Sequence, residues 1–316
     1  MFTCRIYSPI TQKMKYGKFM LAGLAVGLPV KKAYNYIYGD EDLIYKNYGN
    51  GCYAMVIGAN DSIGEGFCKA LAEKGINIVL VGKSQHNLAR IADEISEKYG
   101  VKAITWFFDL SKATDTDFKA LKAKTDEVEV SMLINATRLG VLKPTHKLSH
   151  NEVEGMINTT TKSLMHLLRL YLPELDKRQG RSAVIHLSSL LSISPVPILS
   201  LYGATQAFVR YITMGLSEEY SSSIDFLSYE PGSLIPENAP QELSSWKTAP
   251  LEASIAQALK DLGRKRTSYG HFKHELLAGF LHIAPTKVSL RFFYYLLNQQ
   301  AEQLKQARQA KQSKSV

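Results

Sequence analysis

From residue 53 to 229 two hydrophobic patterns alternate along the chain. Short, nearly unbroken apolar runs occupy 53–57, 76–81, 103–108, 130–134, 182–187 and 224–228, the length expected of strands buried on both faces. Between them, 65–74, 86–99, 152–172 and 201–220 place apolar residues three and four apart, as amphipathic helices do. In the first of these Phe67, Ala70 and Leu71 share a face, and Gly75 supplies a C-terminal stop. The alternation predicts an α/β fold: a single-domain, Rossmann-type doubly wound parallel sheet with helices on both faces. Ligands of such sheets bind outside the carboxyl ends of the strands. A final helix is expected over 284–304, where Phe292 to Leu297 are all large and apolar or aromatic. Core packing, a membrane surface and a subunit contact all suit it.

Charge divides the chain differently. The formal net charge is +9, yet Arg5, Lys13, Lys15, Lys18, Lys31 and Lys32 carry +6 of it within 1–39, where there is no acid. Lys305, Arg308, Lys311 and Lys314 against Glu302 supply the other +3 within 299–316, so the body is neutral. A neutral body argues against a nucleic-acid face. The expected organisation is a basic, partly apolar targeting or anchor segment at 1–39, a domain over 40–298, and a basic Gln- and Lys-rich tail over 299–316. The apolar run 19–30 would span roughly 18 Å as a helix, short of the roughly 30 Å of a hydrocarbon core. A targeting segment, an interfacial anchor and a segment docked into a partner remain open. Cys4, Cys52 and Cys68 show no pairing pattern, so a reducing compartment is expected. His271 and His274 lack a third ligand nearby, so no metal site is expected.

Candidate chemistry gathers at the expected strand ends. The loop after the first strand reads Gly58-Ala59-Asn60-Asp61-Ser62-Ile63-Gly64, glycine-rich before a helix, which suits close approach to a phosphate. Lys83 follows the second strand, Asp109 the third and Asn135 the fourth. Asn158 lies in the long expected helix. Ser189 follows the fifth strand, thirteen residues before Tyr202, and Gln206 stands one helical turn beyond Tyr202.

This spacing resembles the short-chain dehydrogenase/reductase family, whose signature is a serine, a tyrosine thirteen residues on, and a lysine four further. Ser189 and Tyr202 match, and Gln206 occupies the lysine position. Leu43-Ile-Tyr-Lys-Asn-Tyr-Gly49, Ser194-Pro-Val-Pro197 and the stretch from Arg266 to His274 look like the very-long-chain 3-oxoacyl-CoA reductase and 17β-hydroxysteroid dehydrogenase type 12 branch, which includes hydroxysteroid dehydrogenase-like members. The likeness runs from about 43 to 295. It implies NADP(H) as cofactor, bound by Gly58, Ser62, Ile63, Gly64, Lys83, Asp109 and Asn135, with Lys83 placed to pair with a ribose 2′-phosphate. It implies Ser189, Tyr202 and Asn158 as the catalytic set, the tyrosine donating a proton to a ketone that the serine holds. The family lysine favours the tyrosinate by its charge; Gln206 can donate a hydrogen bond but supplies no charge. About 10²–10⁴-fold of acid catalysis depends on such a group.

Five family positions depart together: Ile57 and Ser62 in the glycine loop, Ala136 and Arg138 in the Asn-Asn-x-Gly motif, and Gln206. In addition Pro236 replaces a threonine past Pro231-Gly232, and the expected lid, 233–250, is short and proline-rich. Arg138 either lies across the groove or turns to solvent. Arg210, two turns beyond Tyr202, is expected to lie too far along the helix to replace the lysine's charge, and Arg138 is the better-placed substitute. These departures lead to the expectation of a catalytically impaired member that serves as a structural or accessory subunit, in a membrane-associated assembly or a homodimer. The alternative is an active NADPH-dependent ketoreductase acting on a 3-oxoacyl-CoA or steroid-like ketone. The acid-free basic N-terminus and the absence of a C-terminal dilysine signal favour a mitochondrial membrane over the endoplasmic reticulum.

Overall fold

In the first strand, β1 (Tyr53–Ile57), every residue after Tyr53 is buried, and successive side chains serve opposite faces. Ala54 and Val56 join Phe67, Leu71, Ile91 and Ile255 in one core layer, while Met55 and Ile57 join Phe118, Leu164, Leu168 and Val209 in the other. This two-sided burial is why the run reads as continuously apolar. The computed structural model describes residues 44–49, 51–236 and 247–313, with side chains placed as far as 299.

Around β1 lie β2 (Asn77–Gly82), β3 (Ala103–Phe107), β4 (Val130–Asn135), β5 (Ser182–Leu187), β6 (Ile224–Tyr229) and the short β9 (Thr267–Ser268). All pair in parallel in the order β3-β2-β1-β4-β5-β6-β9. The order reverses between β1 and β4, and a crevice opens there above the strand ends. The remaining strands, β7 (Ser233–Ile235) and β8 (Thr248–Pro250), form a small parallel pair at the two ends of the expected lid. The rest of that lid, 237–246, and the expected 1–39 segment lie outside the described residues.

The helices are α1 (Ser62–Ala72), α2 (Gln85–Tyr99), α3 (Asp115–Thr125), α4 (His150–Ile157), α5 (Ser163–Lys177), α6 (Ser200–Glu219), α7 (Leu251–Asp261), α8 (Phe272–Ile283) and α9 (Thr286–Ser313). Three of them, α3, α7 and α8, were not expected from the pattern. The expected helix over 152–172 divides: one π-helical turn, Asn158–Lys162, separates α4 from α5. Beyond it α5 continues through Pro173, because Tyr171, Leu172 and Leu175 remain buried against the sheet. Helix α9 runs through 298 and 299 without a break, so no helix end marks the expected tail.

A third apolar cluster gathers Leu281 of α8 and Phe293 and Leu297 of α9 with Val196 of the loop before α6. Leu142, Ile198 and Leu199 pack against it. Ile198 holds a left-handed backbone, φ 67, which strains a β-branched residue. No helix among the described residues is long and apolar enough to cross a membrane.

Candidate functional site

The loop from β1 to α1 is set by two glycines. Gly58 has φ 82, and a Cβ on Gly64 would lie 2.1 Å from the Gly58 carbonyl oxygen, so only glycine lets the helix start this close to the strand. The Gly58 and Ala59 N–H groups donate to the Val81 carbonyl at 2.8 and 3.0 Å. Asp61 caps α1, its Oδ1 accepting from Ser62 N at 2.9 Å. Asn60 Oδ1 accepts the Lys83 N–H at 2.9 Å and thereby ties this loop to the end of β2.

A cavity of about 380 Å³ lies above these strand ends. Gly58, Asn60, Asp61, Lys83, Asp109 and Arg138 are in its walls, with Thr137, Leu139 and Thr159 closing one side. Arg138 takes the course across the groove: its Nε lies 3.9 Å from Asp61 Oδ2. Asp109 Oδ1 accepts from Ser111 N and Oγ at 3.1 and 2.7 Å. The Lys83 ammonium forms no ion pair among the described residues.

Other residues expected in the groove lie outside these walls. Ile63 is fully buried in the core, Gly64 packs on Gly58, and Ser62 is exposed at the first position of α1. Asn135 is buried, and its Oδ1 accepts from Thr137 N and Oγ1 at 3.2 and 2.6 Å. Asn60, Thr137 and Thr159 were not singled out in the sequence, where they are ordinary polar residues.

The three candidate catalytic residues and Gln206 also lie outside the cavity wall. Ser189 is 7% exposed, and its Oγ accepts from Leu191 N at 3.2 Å as the cap of a 3-10 turn over Leu190–Ser192. That turn lies on the start of α6, where a Cβ on Gly203 would stand 3.4 Å from the Leu191 carbonyl oxygen. Tyr202 is 8% exposed, its ring lies against Gly140, and its hydroxyl has no partner among the described residues. Asn158, opening the π turn, donates from Nδ2 to the Ser111 carbonyl at 3.4 Å.

Gln206 is 0% exposed. Both of its side-chain amide atoms are buried without a hydrogen bond among the described residues, while its backbone carbonyl accepts from Ser188 Oγ at 2.9 Å. An unsatisfied buried polar group costs about 1–3 kcal/mol. The candidate substitute cations are engaged elsewhere. Arg210 NH1 lies 3.4 Å from Glu230 Oε2, and its NH2 lies 3.1 Å from His282 Nε2 of α8. Glu230 is fully buried, and its carboxylate also accepts from Ser228 Oγ at 2.8 Å and Ser192 Oγ at 3.3 Å. Burial raises its pKa, against the opposing pull of Arg210.

Nearby, His186 is fully buried on β5 with Nδ1 2.8 Å from Thr213 Oγ1, and burial lowers its pKa to about 3. His274 accepts the Gly232 N–H on Nδ1 at 3.2 Å, and its Nε2 lies 3.2 Å from the Lys247 carbonyl. It therefore pins α8 to the strand end as a packed histidine. Among the described residues no group of side chains could hold a metal ion.

The cofactor implied by the sequence resemblance, a nicotinamide dinucleotide, fits these residues at one end. Gly58, Lys83, Asp109 and Arg138 surround a space that suits an adenosine and its phosphates. At the other end Gln206 brings no charge where the family has a lysine, and Ser189, Tyr202 and Gln206 are not among the residues that line this cavity.

Similarity to known proteins agrees with this architecture. The family model for short chain dehydrogenase matches residues 53–245. The chain is 29% identical to the very-long-chain 3-oxoacyl-CoA reductase of Mus musculus over 252 residues, which is 78% of this chain and 79% of that protein. It is 29% identical to hydroxysteroid dehydrogenase-like protein 1 of Gallus gallus over 250 residues, 75% of this chain and 72% of that one. Among solved structures, a 7β-hydroxysteroid dehydrogenase aligns with TM-score 0.69 at 22% identity, covering 79% of this chain and 98% of that one. A Shigella flexneri structure complexed with NADP aligns with TM-score 0.61 at 18% identity, covering 71% and 96%. The two structures share the fold, and the matched family model spans most of the sheet and its helices: the chain belongs to the short-chain dehydrogenase family.

Proposed function

We propose that this chain is a short-chain dehydrogenase fold without hydride-transfer activity, serving as an accessory subunit of a membrane-associated assembly. Gln206 carries the reading. One turn beyond Tyr202 it presents a neutral, fully buried amide, while Arg210 pairs with the buried Glu230 and Arg138 lies 3.9 Å from Asp61 of the glycine loop. Gln206 therefore supplies none of the charge that a lysine at this position would.

Helix α8 supports the second half of the proposal. Phe272, Leu276, Phe280 and Ile283 are all exposed, Ile283 at 86%, although they share one face within about 80° of arc. The opposite face buries His274, Ala278 and Leu281. A helix apolar on both sides needs a second partner for its outer side. Lys273 on the same helix, with Lys287 and Arg291 in the helix that follows, is in keeping with an anionic membrane surface beside that partner. The compartment we propose is mitochondrial, from the acid-free basic N-terminal sequence, with the endoplasmic reticulum as the alternative.

A second reading is an active NADPH-dependent ketoreductase acting on a 3-oxoacyl-CoA or a steroid-like ketone. Retention of Ser189 and Tyr202, and relatives named as 3-oxoacyl-CoA reductases, favour it. The deciding experiment incubates the purified full chain with NADPH and a panel of both ketone classes. The expected result is no ketone-dependent oxidation. Turnover of about 1 s⁻¹ or more, at the lower edge of ordinary enzyme rates, would establish the second reading.

A further inference from the structure

Natural sheets usually blunt an edge strand with a charge, a proline, a bulge or a covering helix, since its free backbone groups otherwise pair with another chain. Strand β3 ends the sheet on one side, and among the described residues no strand pairs with its outer edge. Its residues, Ala103-Ile104-Thr105-Trp106-Phe107, include no charge, proline or glycine. Ile104 and Phe107 are 40% and 59% exposed.

The backbone gives this edge a centre of symmetry. At one end of β3 the Lys102 carbonyl accepts from Ile78 N at 2.9 Å, and at the other Phe108 N donates to the Gly82 carbonyl at 2.7 Å. Alternate residues of a parallel strand serve the same neighbour, so 102, 104, 106 and 108 face β2. Ala103, Thr105 and Phe107 therefore turn their N–H and C=O groups outward, spaced evenly about Thr105.

Helix α3 adds an ordered set of charges on one face of this edge. Asp117, Ala120 and Lys124 are exposed and share one side of the helix. A groove of about 310 Å³ between α3 and the edge is lined by Trp106, Phe107, Asp117 and Ala120, and Lys124 Nζ stands 5.6 Å from the Trp106 ring. Asp117 and Lys124 form no ion pair among the described residues; the acid lies in the first turn of α3 and the lysine in its last.

We infer that β3 pairs antiparallel with β3 of a second copy of this chain, about a twofold axis at Thr105, joining two seven-stranded sheets into one. Thr105 then meets Thr105, and Ala103 of each copy meets Phe107 of the other, so each outward N–H finds an outward C=O. Ile104 lies across from Trp106 of the second copy, an aromatic and β-branched pair, and enters its groove. The axis stands perpendicular to the sheet, which keeps α3 on the same side in both copies and sets the two helices antiparallel. Asp117 thus faces Lys124 of the second copy at each end, with Ala120 between them. An unrelated strand would match the backbone, but only a second copy matches this order of charge. Pairing at β3 does not depend on the state of Tyr202.

Sedimentation velocity of the purified full chain in mild detergent tests this pairing. The strand pair is small beside the roughly 1,200 Å² at which specific interfaces begin, so a dimer with a dissociation constant of about 1–100 µM is expected. Thr105→Pro removes an N–H that points away from β2 and leaves that ladder whole, and is expected to weaken the dimer at least about tenfold. Phe107→Lys, at an exposed position, is expected to do the same and carries the test if the proline variant melts early. Lys124→Glu sets an acid against Asp117 and is expected to weaken the dimer about threefold or more at low salt. Thr105→Cys should oxidise to a covalent dimer, since paired residues there stand about 5.5 Å apart between Cα atoms, within disulfide reach. The parent chain is the control, with Cys52 and Cys68 buried. A chain that stays monomeric up to about 200 µM overturns the inference. So does a dimer that Phe107→Lys leaves intact, or a Thr105→Cys variant that yields no more covalent dimer than the parent.

Discussion

Replacing Gln206 by methionine should make the protein more stable. The side chain is 0% exposed, and neither Oε1 nor Nε2 has a hydrogen bond among the described residues. Methionine has nearly the same length and volume and adapts to irregular space, so the packing change is small. Two unsatisfied groups at about 1 kcal/mol each, the low end of the usual range, give a gain of about 2 kcal/mol. For a domain of this size that is a rise in melting temperature of roughly 4–8 °C, readable by calorimetry or urea denaturation. Gln206→Lys provides the opposite perturbation. An ammonium at the same buried position, without a carboxylate, should cost several kcal/mol or lose its proton. It is therefore expected to destabilise by at least about 2 kcal/mol and to restore no turnover. The reasoning is refuted if Gln206→Met destabilises by more than about 1 kcal/mol, since the amide would then have a partner. It is equally refuted if Gln206→Lys is as stable as the parent and oxidises NADPH with a ketone, since space for the cation would then exist.

Other residues give independent checks. His186 is held neutral by burial with its pKa lowered to about 3, so below about pH 6.5 the unfolded chain gains a proton that the folded one refuses. Stability should then fall by about 1.4 kcal/mol per pH unit down to about pH 3, or about 2 kcal/mol between pH 7.5 and 5. Urea denaturation should show this part of the slope vanishing in His186→Gln, and an unchanged slope would count against a neutral buried ring. Tyr48 donates to Asp225 Oδ2 at 2.7 Å beside the two bonds from Arg181 at 2.7 and 2.6 Å, so Tyr48→Phe should cost about 1.5–3 kcal/mol of unfolding free energy. A loss below about 0.5 kcal/mol would show the carboxylate satisfied without it. On α8, Leu276→Asp with Ile283→Asp should shift stability by less than about 0.5 kcal/mol while abolishing co-sedimentation with membranes. Retained co-sedimentation would remove α8 from the contact.

The sheet was legible because its central strands are buried on both faces, and a parallel strand so placed is mostly apolar; β3, at the sheet edge, departs from the expected two-sided burial and leaves Ile104, Thr105 and Phe107 exposed. β1 shows this directly, as does β2 between Ile78 and Val81. Helix α3 was not legible. Only Phe118, Leu121 and Thr125 are buried, and the helix depends on a capping box between Thr114 and Asp117 and on ion pairs such as Lys119 with Asp115. Those are surface devices that leave little hydrophobic period. The split of the long helix at Asn158–Lys162 and its passage through Pro173 reflect packing on the sheet, which no local pattern records. In the site, Lys83 and Asp109 could be placed because each directly follows a strand. The pairing of Arg210 with Glu230 could not, since it depends on how α6 crosses the end of β6.

The five departures from the family pattern do not act alike once they are placed. Ile57 is a core residue packed with Leu133 and Val209, Ala136 is buried beside Gly58, and Ser62 points to solvent outside the cavity. None of these three obstructs the groove. Arg138 and Gln206 do change it, and in opposite senses. The family lysine becomes a neutral amide beside Tyr202, and the family glycine becomes a cation beside the phosphate loop. One positive charge is lost where a tyrosinate would need it and one is gained where phosphate would lie. The charge carried by the two positions together is unchanged, but it now lies beside the glycine loop and not beside Tyr202. The same pair of substitutions thus moves positive charge away from Tyr202 and toward the glycine loop, which is why an impaired tyrosine is the reading proposed for this chain.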